Sequence, residues 1–304
     1  MSKIFTVFGA TGNQGGSVVE HVLADAVLSK EFKIRGVTRD TSTPAAQKLL
    51  QRGVEMVVAD MMSKESLQNA LHGSHTVFLV TNYWETHGTA DEITQGKNVA
   101  DVAKDVGVQH LIFSSSLNVS AASKGRLTRL PHYDGKAEVE QYIRDSQIPA
   151  TFYLAGYFMS NLEQFLQKGE DGTLTWSLPT GGNALFPLIA IQEDTGKFVK
   201  AIVKRRSALL GARILGAEDY YTAAQIVEII TQVTGKKTQF VQLDEATFKS
   251  YMPPDKAVEM LETHLLNADP GYYNGEGLEK SHNILDDKLV SFEEFVRNSN
   301  VLRK

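Results

Sequence analysis

The chain has 304 residues, with 42% hydrophobic and 22% charged side chains, and is long enough to bury a full core as a globular protein. It contains no cysteine, which excludes disulfides, thiolate catalysis and cysteine-based metal sites. A formal net charge of −5 argues against direct binding to DNA or RNA. No apolar run approaches the ~18 residues of a membrane helix, so we expect no membrane partner.

The first sixteen residues predict a strand, a glycine turn and a helix. An apolar run at 4–8 is followed by Gly9, Gly12 and Gly15, spaced three residues apart, and then by helical periodicity at 17–23. Gly9 permits a tight turn, Gly12 lets the backbone approach a pyrophosphate, and Gly15 or its neighbour Gly16 lets the helix pack closely on the strand. The helix N-terminus then points its free N–H groups at the phosphates. This opening is typical of dinucleotide binding; the alternative is a glycine-rich turn without a ligand.

Strand-like and helix-like stretches alternate through the first half of the chain. Strands are predicted at 32–37, 54–58, 76–80, 110–113 and 150–154, and helices at 44–52, 63–71, 91–106 and 132–144. The polar, basic stretch at 117–130 is predicted to be a mobile loop. This alternation predicts an α/β fold with a doubly wound parallel Rossmann sheet, which we assign to an NAD(P)-binding domain at 1–155. The first strand begins too early to leave room for a signal or transit peptide, so we expect a cytoplasmic protein.

The pattern loosens after Gly156. Helices are predicted at 196–204, 223–234, 255–266 and 291–298, and a short strand at 238–242. We therefore expect a smaller, irregular α/β C-terminal lobe over 156–304, with the option that part of it returns to the Rossmann sheet. Such a lobe faces the carboxyl edge of the sheet, where open α/β folds bind ligands.

The choice of cofactor is predicted at the end of the second strand. An acidic side chain there holds the ribose 2′-hydroxyl of NAD, whereas a cation or hydroxyl accepts the 2′-phosphate of NADP. Here the strand ends with Thr38 and Arg39, which favours NADP(H). Asp40 lies one residue further on, so NAD(H) stays open. The alternative is that Arg39 pairs with Asp40 at the surface.

Three pairs of residues at the ends of later strands are predicted to contact the same ligand. They are Asp60 and Met61, Thr81 and Asn82, and Tyr83 and Trp84. We place the first pair on the adenine, the second near the ribose on the nicotinamide side, and the third in the wall of the nicotinamide pocket. For the third pair, packing beneath the second lobe is the alternative.

Catalysis depends on the helix predicted at 132–144. Short-chain dehydrogenases place a Tyr four residues before a Lys, and the Lys lowers the pKa of the phenol. Here Lys136 has His132 four residues before it and Tyr133 three before it, with Ser116 as the candidate serine. Either His132 or Tyr133 donates a proton, or the Tyr is lost and Lys136 serves as a ribose ligand alone. No metal site is predicted from the histidine spacing.

Several of these blocks resemble the NmrA-like family. They lie at 9–16, 37–39, 80–85, 132–140 and 158–161. The resemblance implies an atypical short-chain dehydrogenase fold that binds NADP(H) and, in some members, acts in transcriptional regulation as a redox sensor without dehydrogenase activity. By position it assigns the cofactor to Gly9, Thr11, Gly12, Asn13, Gln14, Arg39, Asp60, Thr81, Asn82 and Lys136.

Two hypotheses follow from the resemblance. The first is a regulatory protein that couples NADP(H) state to a protein partner through its C-terminal lobe. The partner is a transcription factor, another protein or a second copy of the chain as a homodimer, in the cytoplasm and also the nucleus. The alternative is an NADPH-dependent reductase of a small carbonyl, quinone or imine substrate. The hydroxyls at Ser114, Ser115 and Ser116 keep this alternative open.

Overall fold

The computed structural model describes residues 2–85 and 88–302. The strands, in chain order, are β1 Lys3–Phe8, β2 Phe32–Thr38, β3 Glu55–Val58, β4 Ser74–Leu79, β5 His110–Ser115, β6 Ala150–Ala155, β7 Tyr157–Phe158, β8 Gln167–Lys168, β9 Leu174–Leu178, β10 Leu185–Ile189, β11 Arg213–Gly216, β12 Asp219–Thr222 and β13 Thr238–Gln242. These bounds confirm every strand predicted from the sequence to within two residues at each end, and add strands that were not predicted.

The helices begin with α1, directly after the glycine turn. In chain order they are α1 Asn13–Ala24, α2 Leu28–Glu31, α3 Pro44–Gln51, α4 Lys64–Leu71, α5 Thr89–Asp105, α6 Val119–Ala122, α7 Pro131–Asp145, α8 Met159–Phe165, α9 Ile191–Lys204, α10 Arg206–Leu209, α11 Ala223–Thr234, α12 Glu245–Ser250, α13 Pro254–Leu265, α14 Glu279–His282 and α15 Phe292–Asn298. A 3₁₀ turn at Tyr83–Glu85 follows β4.

Seven parallel strands form the main sheet in the order β11-β6-β5-β4-β1-β2-β3. This arrangement confirms the predicted doubly wound parallel sheet. The strand order reverses beside β1, which lies between β4 and β2. In open α/β sheets the crevice at the carboxyl ends of the strands at this reversal is the usual ligand site. The glycine turn after β1 opens into that crevice.

Alternate residues of the central strands enter two different hydrophobic layers. Phe78 and Ile112 pack with α1 and α9 on one face, whereas Leu79 and Phe113 pack with α4, α5 and α7 on the other. All four side chains are fully buried. Because successive side chains of a strand point to opposite faces, a sheet covered on both sides needs such continuous apolar runs.

The second half of the chain contributes to both the main sheet and a separate lobe. Strand β11 pairs with β6 at the edge of the main sheet, and α9 packs against α1. Two three-stranded sheets, β12-β10-β7 and β13-β9-β8, form the lobe around the buried Trp176. Most strands of this lobe were not predicted, because short strands carry little periodicity and are stabilised by their pairing partners; β13 is the exception.

The segment that we predict as a mobile loop, 117–130, contains the short helix α6. Asn118 caps this helix, and the Asp134 carboxylate accepts hydrogen bonds from its first backbone N–H groups. Val119, Leu127 and Leu130 are buried in a small apolar cluster. These contacts come from α7 and from residues beyond 260, so the sequence around the segment did not show them.

No helix in the described ranges is both long and apolar enough to cross a membrane.

We predict that Gly196→Ala destabilises the protein by about 1–3 kcal/mol, the usual cost of an overpacked contact. A Cβ at Gly196 in α9 would overlap the Ser17 carbonyl oxygen of α1 and the ring of His21. Urea unfolding measures the loss. Gly16→Ala is the matched control, because a Cβ there meets no atom nearer than 3.5 Å and alanine favours a helix. Equal stabilities for the two variants would contradict the prediction.

Candidate functional site

The glycine turn has the geometry of a phosphate-binding loop. Gly9 has a φ of +62°, and its carbonyl oxygen accepts a hydrogen bond of 2.9 Å from the Gly12 N–H. A Cβ on Gly15 would overlap the Gly9 carbonyl, so α1 packs too closely on β1 for any other residue. A Cβ on Gly12 would meet that carbonyl at an ordinary 3.4 Å. The protein's own packing therefore does not require a glycine at position 12, and its proposed contact with a pyrophosphate stays a prediction.

The N-terminus of α1 is open to an anion. Gly12 is the N-cap residue; within the described part of the chain no side chain caps the helix and its first turn carries no acidic residue. Uncapped N–H groups and the helix dipole together favour a negative charge at this end. Thr11 and Asn13 are exposed here, and Gln14 accepts a 2.8 Å hydrogen bond from the Ser114 hydroxyl of β5.

Arg39 and Asp40 differ in how they are held at the end of β2. The Arg39 guanidinium is 75% exposed and pairs with Glu85 at 2.5 Å, rather than with Asp40. The Asp40 carboxylate accepts a 2.7 Å hydrogen bond from the Ser42 backbone N–H, and hydrogen bonds from Ser42 lower the pKa of Asp40. The Thr38 hydroxyl bonds the Asp40 backbone. The structure thus uses Asp40 to close a turn and leaves Arg39 accessible.

The residues after β3 are engaged in local structure. The Asp60 side chain accepts a 2.9 Å hydrogen bond from the Met62 N–H and closes a turn. Met61 is half-buried against the main core, and its carbonyl accepts a hydrogen bond from Asn98. Their proposed contact with adenine stays a prediction.

Asn82, Tyr83 and Trp84 lie in the turn beside the start of α7, and Trp84 lines a cavity there. The Asn82 side chain accepts a 3.2 Å hydrogen bond from the Trp84 N–H, which shapes the 3₁₀ turn. Trp84 is 58% exposed and stacks against His132, as does Tyr83, with ring centroids 5.2 and 5.6 Å away. Lys256 of α13 lies against both aromatic rings. Tyr83 and Trp84 therefore contact both α13, in the second half of the chain, and the start of α7.

Lys136 is held by an ion pair in the interior. Its ammonium donates to Glu92 Oε1 at 2.6 Å, to the Thr81 hydroxyl at 2.6 Å and to the Thr81 carbonyl at 2.9 Å. Glu92 is completely buried, and its Oε2 has no hydrogen-bond partner among the residues that the structure describes. Burial lowers the pKa of Lys136, against the opposing effect of the Glu92 carboxylate. All three donors of the ammonium are thus used within the protein.

His132 and Tyr133 have different environments. His132 Nδ1 lies 2.8 Å from Glu259 Oε1 of α13. Burial of the carboxyl favours a higher pKa for Glu259, but the hydrogen bond and charge of His132 outweigh it and keep that pKa below its usual value. Burial of the phenol raises the pKa of Tyr133 far above its usual value, and Tyr272 stands beside it. The raised pKa keeps the Tyr133 phenol protonated, and its proposed catalytic role stays a prediction.

The three serines at the end of β5 all have partners inside the protein. Ser114 bonds Gln14, Ser115 bonds the buried Glu140 at 2.5 Å, and Ser116 donates to the Tyr133 carbonyl at 2.6 Å. Ser116, the candidate catalytic serine, thus holds the first turn of α7 in place.

A cavity of about 410 Å³ lies between the carboxyl ends of β5 and β6, the start of α7, and helices α8 and α13. Its lining includes Trp84, Ser116, His132, Tyr133, Lys136, Tyr157, Phe158, Met260, His264 and Tyr272. Burial lowers the pKa of His264 to about 4, so that this imidazole is neutral at physiological pH. The walls are mainly aromatic and apolar with a few polar groups, as in small-molecule sites.

The structure brings most of the predicted site residues to one edge of the sheet. The glycine turn, Arg39, Thr81, Asn82 and the start of α7 meet at the crevice beside β1. The carboxylates Glu85, Glu92 and Glu259 were missed. Glu92 was detectable, since it lies four residues before Gly96 on the buried face of α5. Glu259 is 127 residues from His132, and nothing local indicates that they pair.

No group of three or more His, Cys, Asp or Glu side chains in the described ranges is arranged to hold a metal ion.

Comparison with known proteins gives matches along the whole chain. A family model described as the NmrA-like family matches residues 1–296. An NmrA-like family domain-containing protein of Dictyostelium discoideum is 31% identical, and the match covers 99% of each chain. The NmrA-like family domain-containing oxidoreductase malD of Malbranchea aurantiaca is 32% identical over 79% of this chain and 76% of that protein.

A solved structure has the same fold. NmrA, a negative transcriptional regulator in complex with NADP, aligns with a TM-score of 0.81 and 21% identity, covering 98% of this chain and 95% of that one. The same regulator is also solved in complex with NAD.

We predict that Lys136→Met destabilises the protein by about 3–5 kcal/mol, because it leaves the Glu92 charge buried without a partner. Adding Glu92→Gln in the double variant should recover most of the loss, since no unpaired charge is left. Lys97→Met is the control, because Lys97 pairs with Glu138 between the same two helices at the surface, where an ion pair contributes about 0–1 kcal/mol. Urea unfolding compares the variants. A double variant no more stable than Lys136→Met would contradict the explanation.

Proposed function

The chain belongs to the NmrA-like family, and from this premise we propose that it binds NADP(H) and acts as a redox sensor that couples cofactor state to a protein partner. The observation that carries the proposal is the uncapped N-terminus of α1 behind a glycine turn. These N–H groups and the helix dipole would hold the pyrophosphate. Gly9, Thr11, Gly12, Asn13, Gln14 and Gly15 supply this part of the site.

Two observations support NADP over NAD. Arg39 is exposed at the end of β2, where its planar guanidinium would donate hydrogen bonds to a 2′-phosphate. Asp40, the residue that would bind a ribose 2′-hydroxyl, is already bonded to the Ser42 backbone. The related regulator NmrA is described with each of the two cofactors, so NAD(H) is retained as the weaker ligand.

A regulatory role is supported by the state of the groups at the start of α7. In the reductase reaction of short-chain dehydrogenases, a lysine lowers the pKa of a tyrosine that donates a proton. Here the Lys136 ammonium is satisfied by Glu92 and Thr81, and the pKa of Tyr133 is raised rather than lowered. Without an activated phenol, the site is better suited to binding a nicotinamide cofactor than to using that cofactor to reduce a substrate.

The sensor function requires that cofactor states differ in their affinity for conformations of the protein. We place the partner surface on the C-terminal lobe. This half of the chain exposes large apolar side chains, among them Leu185, Tyr251 and Val258, that a transcription factor, another protein or a second copy of this chain would cover.

One observation favours a second function, an NADPH-dependent reductase of a small carbonyl, quinone or imine compound. The cavity of about 410 Å³ lies directly beside His132, Tyr133 and Lys136. The His132–Glu259 pair is a histidine–carboxylate arrangement that is able to hold and release a proton. The relative from Malbranchea aurantiaca is named an oxidoreductase.

We predict that Arg39→Ala weakens NADP⁺ binding by ~1.5–3 kcal/mol, the range for a hydrogen bond to a charged group, and leaves NAD⁺ binding unchanged. Isothermal titration calorimetry with both nucleotides measures the difference. Arg52→Ala is the control. Arg52 directly follows α3, is about half exposed and also pairs with a glutamate, Glu20 of α1. Equal losses for NADP⁺ and NAD⁺ would show that Arg39 does not bind the 2′-phosphate. If the unaltered protein takes up neither nucleotide, the proposed function is wrong.

A second experiment separates the sensor from the reductase. We expect no consumption of NADPH when the protein is incubated with a panel of carbonyl, quinone and imine compounds and the absorbance of the reduced nicotinamide is followed. Turnover that is lost in His132→Ala or Tyr133→Phe, with NADP⁺ affinity retained, would instead establish the reductase. Lys97→Met is the control for nonspecific loss, because Lys97 pairs with Glu138 at the surface, away from the candidate site.

A further inference from the structure

An ion pair joins the two chain segments on either side of β1. Arg39 follows β2, and Glu85 lies in the 3₁₀ turn after β4. The Arg39 Nη2 and Glu85 Oε2 atoms are 2.5 Å apart although the residues are 46 positions apart in sequence. Since β1 lies between β4 and β2 in the sheet, this pair spans the carboxyl end of β1.

The register of the strands places the pair beside the glycine turn. Phe8, the last residue of β1, is opposite Val37 of β2. Arg39 therefore comes two residues after the position that is paired with the end of β1, beside the glycine turn that begins at Gly9. The pair thus occupies the edge of the crevice that the proposed dinucleotide would enter.

The 3₁₀ turn presents the Glu85 carboxylate to Arg39. The Glu85 backbone N–H donates to the Asn82 carbonyl at 3.1 Å, and the Trp84 N–H donates to the Asn82 side chain at 3.2 Å. Trp84 packs on His132 and Lys256. These contacts keep the turn in place independently of the ion pair.

The carboxylate and a phosphate are alternative anions for the same guanidinium. Arg39 is 75% exposed and Glu85 is 53% exposed, so their pair stabilises the protein little and either partner is easily exchanged. A guanidinium binds carboxylate and phosphate oxygens with the same planar fork. A ligand phosphate that binds Arg39 therefore has to displace Glu85 from the guanidinium.

We propose that Glu85 is a specificity-determining residue for the cofactor. In the cofactor-free protein its carboxylate occupies Arg39, and the 2′-phosphate of NADP(H) takes its place. NAD(H) has no 2′-phosphate and gains nothing from the exchange. Glu85 therefore lowers the affinity for NADP(H) but not the affinity for NAD(H). As a result, the protein prefers NADP(H) over NAD(H) by a smaller factor than it would without Glu85. This assignment rests on the proposed function, because it requires the dinucleotide site beside β1.

The test is isothermal titration of NADP⁺ and NAD⁺ into the full-length protein and its Glu85→Gln variant. We expect the Kd for NADP⁺ to fall about two- to fivefold, the equivalent of a surface ion pair, and the Kd for NAD⁺ to stay the same. Glu55→Gln is the matched control. Glu55 is also 53% exposed and also pairs with an arginine of β2, namely Arg35, but Arg35 lies within the strand rather than at its carboxyl end.

A double-mutant cycle with Arg39→Ala shows whether Glu85 acts through Arg39. In the Arg39→Ala background, the Glu85→Gln change should no longer tighten NADP⁺ binding, because the group that both anions share is absent. If Glu85→Gln still tightens NADP⁺ binding in that background, or if Glu55→Gln tightens it equally, the effect comes from the net charge of the protein. Either result would overturn the assignment.

The outcomes for the two proposals are distinct. NADP⁺ binding by the unaltered protein, with an unchanged or weaker affinity in Glu85→Gln, overturns the assignment of Glu85 and leaves the proposed function standing. Failure of the unaltered protein to bind either nucleotide overturns both.

Discussion

The position of α1 is the constraint on which the rest of the structure depends. Helix α1 is held between β1 and α9 by two contacts that leave no room for a Cβ, at Gly15 against the Gly9 carbonyl and at Gly196 against the Ser17 carbonyl. Because both sides of the helix are in close contact, its direction is set by backbone atoms. Its uncapped N-terminus consequently lies at the carboxyl edge of the sheet, beside the reversal of strand order. The candidate site is assembled around that end.

Three nitrogen-bearing side chains of the candidate site are each paired with a carboxylate from a distant segment. Lys136 pairs with Glu92, Arg39 with Glu85, and His132 with Glu259. The pairs differ in burial, and so in the cost of breaking them. The Lys136–Glu92 pair is in the interior, where an unpaired charge is expensive, whereas the Arg39–Glu85 pair is at the surface. A phosphorylated ligand would therefore exchange partners easily at Arg39 and only at considerable cost at Lys136.

This difference bears on the choice between a sensor and a reductase. The Lys136 ammonium is already bonded to Glu92 and Thr81, and burial raises the pKa of the Tyr133 phenol. The Arg39–Glu85 pair, by contrast, is at the surface, so a ligand would break it at a small cost in free energy. The cavity beside His132 leaves room for a small molecule, and His132 is paired there with the Glu259 carboxylate.

The sequence by itself determined the architecture of the first half and the family of the chain. The apolar runs, the glycine spacing and the end of β2 are local patterns, and local patterns are sufficient where one strand or one turn sets the conformation. Only the tertiary structure decided the partners of Arg39, His132 and Lys136, the return of β11 to the main sheet, and the burial of α6. Those features depend on contacts between residues far apart in the chain. Periodicity contains no information about such contacts, because the carboxylate that neutralises a cation is selected by folding rather than by its neighbours in sequence.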